Sequence, residues 1–217
     1  MNNIDIPASP WDIFLFPIWV HRKISVRLRS LLPAFLFVGC FDMFFYRNLV
    51  NAGLFNGDIL KFAGTFIVFL LLSLMIGVVD VVCTMLPIAE FAVIMGRRSE
   101  KYVSGRMPVI LMKSYAISHI LFIVPTAIYV YSGIEWASID MSSSSQARLL
   151  FSFILVIMSF LAFVQLGVIY RTVSVRTRLQ LFDKLIMILV AYFWMQISGG
   201  AVVYLEGLFS KILERLF

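Results

Sequence analysis

A chain of 217 residues that is 61% hydrophobic and only 14% charged carries more apolar surface than one water-soluble core of that size can conceal. The mean hydropathy of +0.96 points to lipid as the missing solvent, and the need to satisfy backbone hydrogen bonds in hydrocarbon then restricts the chain to helices or a closed barrel. Unbroken apolar runs such as Phe66 to Val79 argue against the barrel, and the net charge of +6 is the Lys and Arg excess expected of cytoplasmic loops rather than a nucleic-acid surface.

In chain order, residues 1–30 read as a cytoplasmic or interfacial lead-in. Trp11 to Val20 mixes Phe14, Phe16 and Trp19 with Pro17 and runs into His21-Arg22-Lys23, the pattern of an aromatic segment at headgroup depth. Its basic residues follow the apolar stretch instead of preceding it, so a cleaved signal peptide is not expected. Five spans follow, at about 31–50, 62–86, 111–131, 149–170 and 185–205. The first covers only 31–46 on strict apolar count and is expected to borrow Asn48 to Asn51 to cross a core roughly 30 Å thick. A tail at 207–217 repeats Leu208, Phe209, Ile212, Leu213, Leu216 and Phe217 at helical spacing, opposite Lys211, Glu214 and Arg215; it is expected to lie on the outer leaflet, or else on the bundle or a partner. The fold class is therefore all-α: one polytopic transmembrane helical bundle of about five spans, with interfacial helices at both ends.

Charge sets the orientation. Arg22, Lys23, Arg27 and Arg29 precede the first span; Arg97, Arg98, Lys101, Arg106 and Lys113 separate the second from the third; Arg171, Arg176, Arg178 and Lys184 separate the fourth from the fifth. The alternate connections carry Asp58, Glu135, Asp140 and the run Ser142 to Ser145. This distribution predicts an N-in, C-out chain. Arg22, Lys23, Arg27, Arg29, Arg97, Arg98, Lys101 and Arg106 are the candidates for contact with anionic lipid headgroups or a soluble partner. The apolar stretch Ile59 to Gly96 is too long for one crossing. Pro87, which lacks an N–H and crowds the preceding turn, is expected to break it and leave Ile88 to Gly96 along the inner headgroups with Glu90 facing water. Dividing the stretch at Asp80 instead would invert the basic clusters that follow.

Ionisable groups inside hydrocarbon are costly and seldom accidental, which singles out Asp42, Asp80 and His119. Counting inward from Leu86, Leu111 and the end of span four puts Asp80, His119 and Gln165 at ~9, ~12 and ~8 Å, a candidate buried polar cluster. Asp42 and Gln196, both at ~17 Å, form a second candidate pair. A carboxylate beside an imidazole can exchange a proton near neutral pH; the duller role is to fix helix register through a few polar contacts. Small residues one turn apart, Ser73 with Gly77 and Ser114 with Ser118, together with the patch Ser198-Gly199-Gly200-Ala201, predict close helix contacts and self-association. Cys40 and Cys83 lack metal-binding spacing and read as small hydrophobes, and no cofactor is implied. Enzyme signatures are missing: there is no HExxH, GxSxG or phosphate loop. Ser198 paired with His119 as a hydrolytic couple lacks the usual preceding glycine and joins residues expected at different depths.

Several short stretches carry a family resemblance: Ser9-Pro10-Trp11 to Phe14 before the first span, the Gly96 to Arg106 linker leading into Ser114-Tyr115-Ala116 and Pro125, and Gly167-Val168-Ile169-Tyr170-Arg171 before the last span. In these and in its layout the chain resembles the bacterial branch of the Yip family, five-span membrane proteins named for their interaction with Rab/Ypt GTPases. The Asp-aromatic-Gly-Pro motif of the eukaryotic members is not present, and Asp12 to Pro17 is at best a distant echo, so GTPase binding does not carry over. The resemblance implies a non-catalytic scaffold or accessory protein of the bacterial cytoplasmic membrane, working through lipid and protein partners. The rival expectation is a small transporter, or a transporter's membrane subunit, that uses the buried Asp/His cluster.

Overall fold

The computed structural model describes residues 10–45, 58–132, 139 and 143–216, and every regular element among them is helical. Two short helices, α1 (Trp11–Leu15) and α2 (Ile18–Lys23), lead through a 3-10 turn at Leu28–Leu31 into α3 (Leu32–Phe44). Then come α4 (Ile59–Arg98), α5 (Met107–Ser118), α6 (Ile123–Tyr131), α7 (Ser145–Arg176) and α8 (Leu181–Leu216). Four helical runs are long and apolar enough to cross a membrane: α4, the α5–α6 run from Met107 to Tyr131, α7, and α8. With 13 residues, α3 covers only ~20 Å at 1.5 Å per residue. The stretch expected to complete it, Tyr46 to Asn51, lies outside the described residues, as do Glu135 and Asp140.

Pro87 does not end its helix. The 40 residues of α4 run through it without interruption, so the expected break, with Ile88 to Gly96 flat against headgroups, is corrected. A proline leaves the carbonyl four residues earlier without its donor; here that orphan, Cys83 O, receives the Trp194 indole N–H at 2.8 Å. A neighbouring helix thus repairs the defect in a medium where water cannot. The residues beyond Pro87 bury Ile88, Ala89, Ala92 and Met95 in the bundle core, while Glu90 stays exposed. The helix stops where Glu100 adopts a left-handed φ of 54°, closed by Lys101 N–H on Gly96 O and Glu100 N–H on Arg97 O.

For the tail, the placement on the outer leaflet is corrected and the alternative, packing on the bundle, holds. Nothing between Val202 and Leu216 breaks the helix, and α8 continues through the segment expected to lie apart from it as a surface helix. Leu213 is fully buried with Met43, Phe69, Ile76 and Val202, so apolar burial holds the tail against α3 and α4.

At Gly39 and Gly77 the backbones of α3 and α4 come into direct contact. A Cβ added to Gly39 would fall 1.7 Å from Ser73 O, and one added to Gly77 would fall 1.9 Å from Phe35 O. The Ser73/Gly77 spacing therefore serves the contact expected of it, with Gly39 as its counterpart across the interface. The run from α5 to α6 is interrupted by a 3-10 turn at His119–Phe122. Ser118 Oγ donates to Tyr115 O at 2.6 Å and His119 Nδ1 bonds the same carbonyl at 2.9 Å, so side chains compete with the backbone there. One turn on, Pro125 withholds the N–H that would bond Leu121 O.

Contacts between distant segments gather the basic residues at one end of the bundle. Lys113, expected as a loop charge, is instead buried inside α5, where its Nζ donates to Ser25 O at 2.5 Å, Arg27 O at 2.8 Å and Ser30 Oγ at 2.6 Å. Arg176 donates to the carbonyls of His21, Arg22 and Ile24. Arg171 pairs with the buried Asp12, and Ser99 Oγ donates to Asp183 at 2.5 Å. Arg22, Lys23, Arg27, Arg29, Arg97, Arg98, Lys101 and Arg106 are all exposed at this end. Beside them Trp11, Ile13, Phe14, Ile18 and Trp19 project outward, with the Lys23 ammonium 5.3 Å from the centre of the Trp19 ring.

His21 joins the lead-in to α7. Its Nε2 bonds Leu15 O and its Nδ1 bonds Thr172 Oγ1, both at 2.8 Å. Burial, reinforced by the nearby Arg171 and Arg176 cations, pushes its pKa below the usual 6.5. The neutral ring is thus favoured when docked. Its contribution is complete above the unfolded value of 6.5 and fades as pH falls through 6.5 toward the lower folded value. Hydrogen exchange of residues 11–24, corrected for intrinsic rates, should accelerate between pH 7.5 and 5.5, and His21→Gln should flatten that dependence. A flat wild-type profile would show that His21 does not govern docking.

Candidate functional site

The site starts from Asp80, which α4 carries on its buried face one turn before Thr84 and one turn after Ile76. Its Oδ1 accepts from Thr84 Oγ1 at 3.1 Å and from Tyr115 OH at 3.2 Å. Its Oδ2 faces His119 Nε2 at 4.0 Å. Because Tyr115 O can only accept, His119 Nδ1 is the protonated nitrogen in that contact, and Nε2 of the neutral ring turns a lone pair toward the carboxylate. Phe41 and Tyr115 stand edge-on to the imidazole, at centroid distances of 5.4 and 4.6 Å, and limit its rotation.

Asp42 completes the cluster. One ligating atom from each of Asp42, Asp80 and His119 lies within 4.8 Å of the other two, and Asp42 Oδ2 is buried without a hydrogen-bond partner among the described residues. Glu206 of α8 is near enough to interact electrostatically with Asp42 and Asp80. Carboxylates from α3 and α4 thus converge on one imidazole in an apolar bundle, with the Glu206 carboxyl of α8 acting on both, an arrangement that calls for positive charge.

Of the residues singled out by sequence, Asp80 and His119 meet directly. Gln165 does not touch either of them: its Nε2 donates to Ser118 Oγ at 3.0 Å, and Ser118 shares the Tyr115 carbonyl with His119. The Asp42–Gln196 pairing is corrected: Asp42 turns to Asp80 and His119, while Gln196 is exposed. The depth count went astray because α5 begins at Met107, not Leu111; from there His119 is ~18 Å in, level with Asp42. Gln196 instead lines a cavity of about 210 Å³ together with Gln165, Tyr115, Tyr192 and Gly199. Tyr115 connects this cavity to the cluster, since its hydroxyl reaches Asp80.

Sequence reasoning missed Thr84, Tyr115 and Glu206 as members of the site, and weighed Ser198 only as a hydrolytic partner of His119 and as part of a small-residue patch. The first two sit four residues from Asp80 and His119 respectively, so the same-face rule for helices finds them. Ser198, Val202, Glu206, Phe209 and Leu213 share a 3.6-residue stripe on α8, which marks Glu206 as inward-facing despite its place near the chain's end. Ser198 accepts from Thr84 Oγ1 at 3.0 Å and donates to Met195 O; among the described residues its partners do not include His119.

Compared with protein-family models, with curated proteins and with solved structures, the chain gives no significant match.

Proposed function

We propose that the protein is a small transport component of the bacterial cytoplasmic membrane that couples to a proton or another cation through Asp42, Asp80 and His119. The observation that carries this reading is the buried convergence of two carboxylates on an imidazole lone pair, a set that balances when it holds a positive charge. Two further features support it. The helical run bearing His119 is interrupted at that residue, as helices that build transporter sites commonly are, and a cavity whose lining includes Gln165 and Gln196 adjoins the cluster at Tyr115. On this reading the chain crosses five times with α3 as the first span, the N-terminus is inside, and the basic end meets anionic headgroups. No bond-making step is assigned to the cluster.

The test is reconstitution into vesicles with an imposed pH gradient and an internal pH-sensitive dye. Wild-type protein should dissipate the gradient at least tenfold faster than empty vesicles, and Asp80→Asn or His119→Gln should restore the empty-vesicle rate. Equal rates for wild type and both variants would refute the proposal.

A second reading, the scaffold or accessory protein that the Yip resemblance implies, is favoured by the small-residue patch on α8. Gly200 is exposed, and a Cβ added there would meet nothing within 4 Å, so that position is open to a second copy or a partner helix. Purification in mild detergent separates the two: a stable complex lost in Gly200→Leu favours the scaffold.

A further inference from the structure

We propose that Asp42, Asp80 and His119 bind one divalent first-row transition-metal ion, with a carboxylate oxygen of Asp42, Asp80 Oδ2 and His119 Nε2 as the protein ligands. This assignment rests on the cluster being the working site and names the cation it takes.

Two of the three ligating groups are already oriented by partners that leave their ligating atoms free, and the third presents a bare oxygen. Tyr115 O fixes the His119 tautomer at Nδ1, the arrangement by which metal-binding histidines are held through their second nitrogen. Tyr115 and Thr84 occupy Asp80 Oδ1 and leave Oδ2 to the histidine side. Asp42 Oδ2 is buried and unpartnered, a costly arrangement for a carboxylate oxygen in an apolar bundle. A proton can bridge only one pair of these acceptors; a dication engages all three and offsets two carboxylate charges.

Dimensions agree. Bonds of ~2.1 Å place ligand atoms ~3 to ~4.2 Å apart around a transition metal. The 4.0 Å between Asp80 and His119 already lies in that range, and the limit of 4.8 Å for the set closes by small side-chain rotations. The imidazole selects against Mg²⁺ and Ca²⁺, which prefer all-oxygen shells, in favour of ions such as Mn²⁺, Fe²⁺, Co²⁺ or Zn²⁺.

The full chain, purified in mild detergent, stripped with a chelator and desalted, is titrated with Co²⁺ by visible absorption and with Zn²⁺ by calorimetry. One ion per chain is expected, undisturbed by a hundredfold excess of Mg²⁺. Asp42→Asn and His119→Gln should each weaken binding at least tenfold, while Gln196→Ala leaves it unchanged; circular dichroism checks that each variant is folded. Should a ligand variant not fold, pulsed electron paramagnetic resonance of Cu²⁺-loaded wild type decides, because the chain holds 2 histidines and coupling to one imidazole nitrogen that persists in His21→Gln assigns His119. Absence of stoichiometric binding to folded wild type, or equal affinity in the ligand variants and the control, overturns the site. Metal binding without any ion flux would retain the site and remove the transport reading; gradient dissipation that depends on Asp80 in protein that binds no metal would retain transport and overturn the metal.

Discussion

Replacing Gly39 by valine should leave little or no folded protein. A single Cβ at this position already falls 1.7 Å from Ser73 O and 2.8 Å from Gly77 N, and both are backbone atoms of α4 that no side-chain rotation moves aside. The helices would have to separate by more than an ångström along the contact that also positions Asp42 on α3 beside Asp80 on α4. Overpacking of an ordinary core costs ~1–3 kcal/mol; a rigid backbone clash of this depth belongs with the exceptional losses above ~4 kcal/mol. Gly77→Val should behave the same way, its Cβ meeting Phe35 O at 1.9 Å. Gly199→Ala is the matched control, since a Cβ there meets nothing within 4 Å. Thermal unfolding in detergent, followed by tryptophan fluorescence and size exclusion, should show Gly199→Ala melting within a few degrees of wild type and Gly39→Val eluting as aggregate. A Gly39→Val protein with a wild-type melting curve would mean that α3 and α4 do not pack as described.

The sequence disclosed the helical class and the ordering of its segments because those depend on hydrophobic run length and on where lysine and arginine fall, both local quantities. What it concealed depends on tertiary partners. Pro87 looked like a helix end because proline removes a local hydrogen bond, and only the position of Trp194, 107 residues later, supplies the donor that lets α4 continue. Lys113, Arg171 and Arg176 looked like solvated loop charges, yet each has buried or carbonyl partners drawn from the N-terminal lead-in. The candidate site was legible in its two most costly members, Asp80 and His119, since a charge in hydrocarbon announces itself in one dimension. Asp42 was also visible, but its partner was assigned by depth, and a four-residue error in the start of one helix carries a full turn. Glu206 escaped because it stood at the edge of an expected span, where an acidic residue needs no special explanation.

Severing Asp12 from Arg171 should release the N-terminal lead-in without unfolding the bundle. The pair is held in protein, with side-chain exposures of 6% for Asp12 and 15% for Arg171, so Asp12→Ala leaves a guanidinium that has surrendered water and lost its counter-charge. Such a break costs ~3–5 kcal/mol; taking the lower figure, opening of α1 and α2 becomes on the order of 100-fold more frequent. Trypsin reads this directly, because its sites at Arg22 and Lys23 lie where Arg176 ties down the backbone carbonyls, and cleavage in the fast-opening regime follows the open population. The exchange Asp12→Arg with Arg171→Asp should recover a substantial part of the protection, since it restores the opposite charges. The consequence extends inward: His21 holds Thr172, Thr172 holds Ser114, and the next residue on α5 is Tyr115, the donor to Asp80. A released lead-in should therefore raise hydrogen exchange in α5 as well as in α1 and α2, while the far end of α7 near Ser145 keeps its wild-type protection. If cleavage at Arg22 and Lys23 proceeds at the same rate in wild type and Asp12→Ala, the pair does not hold the lead-in, and the link from the basic end to the buried cluster loses its first element.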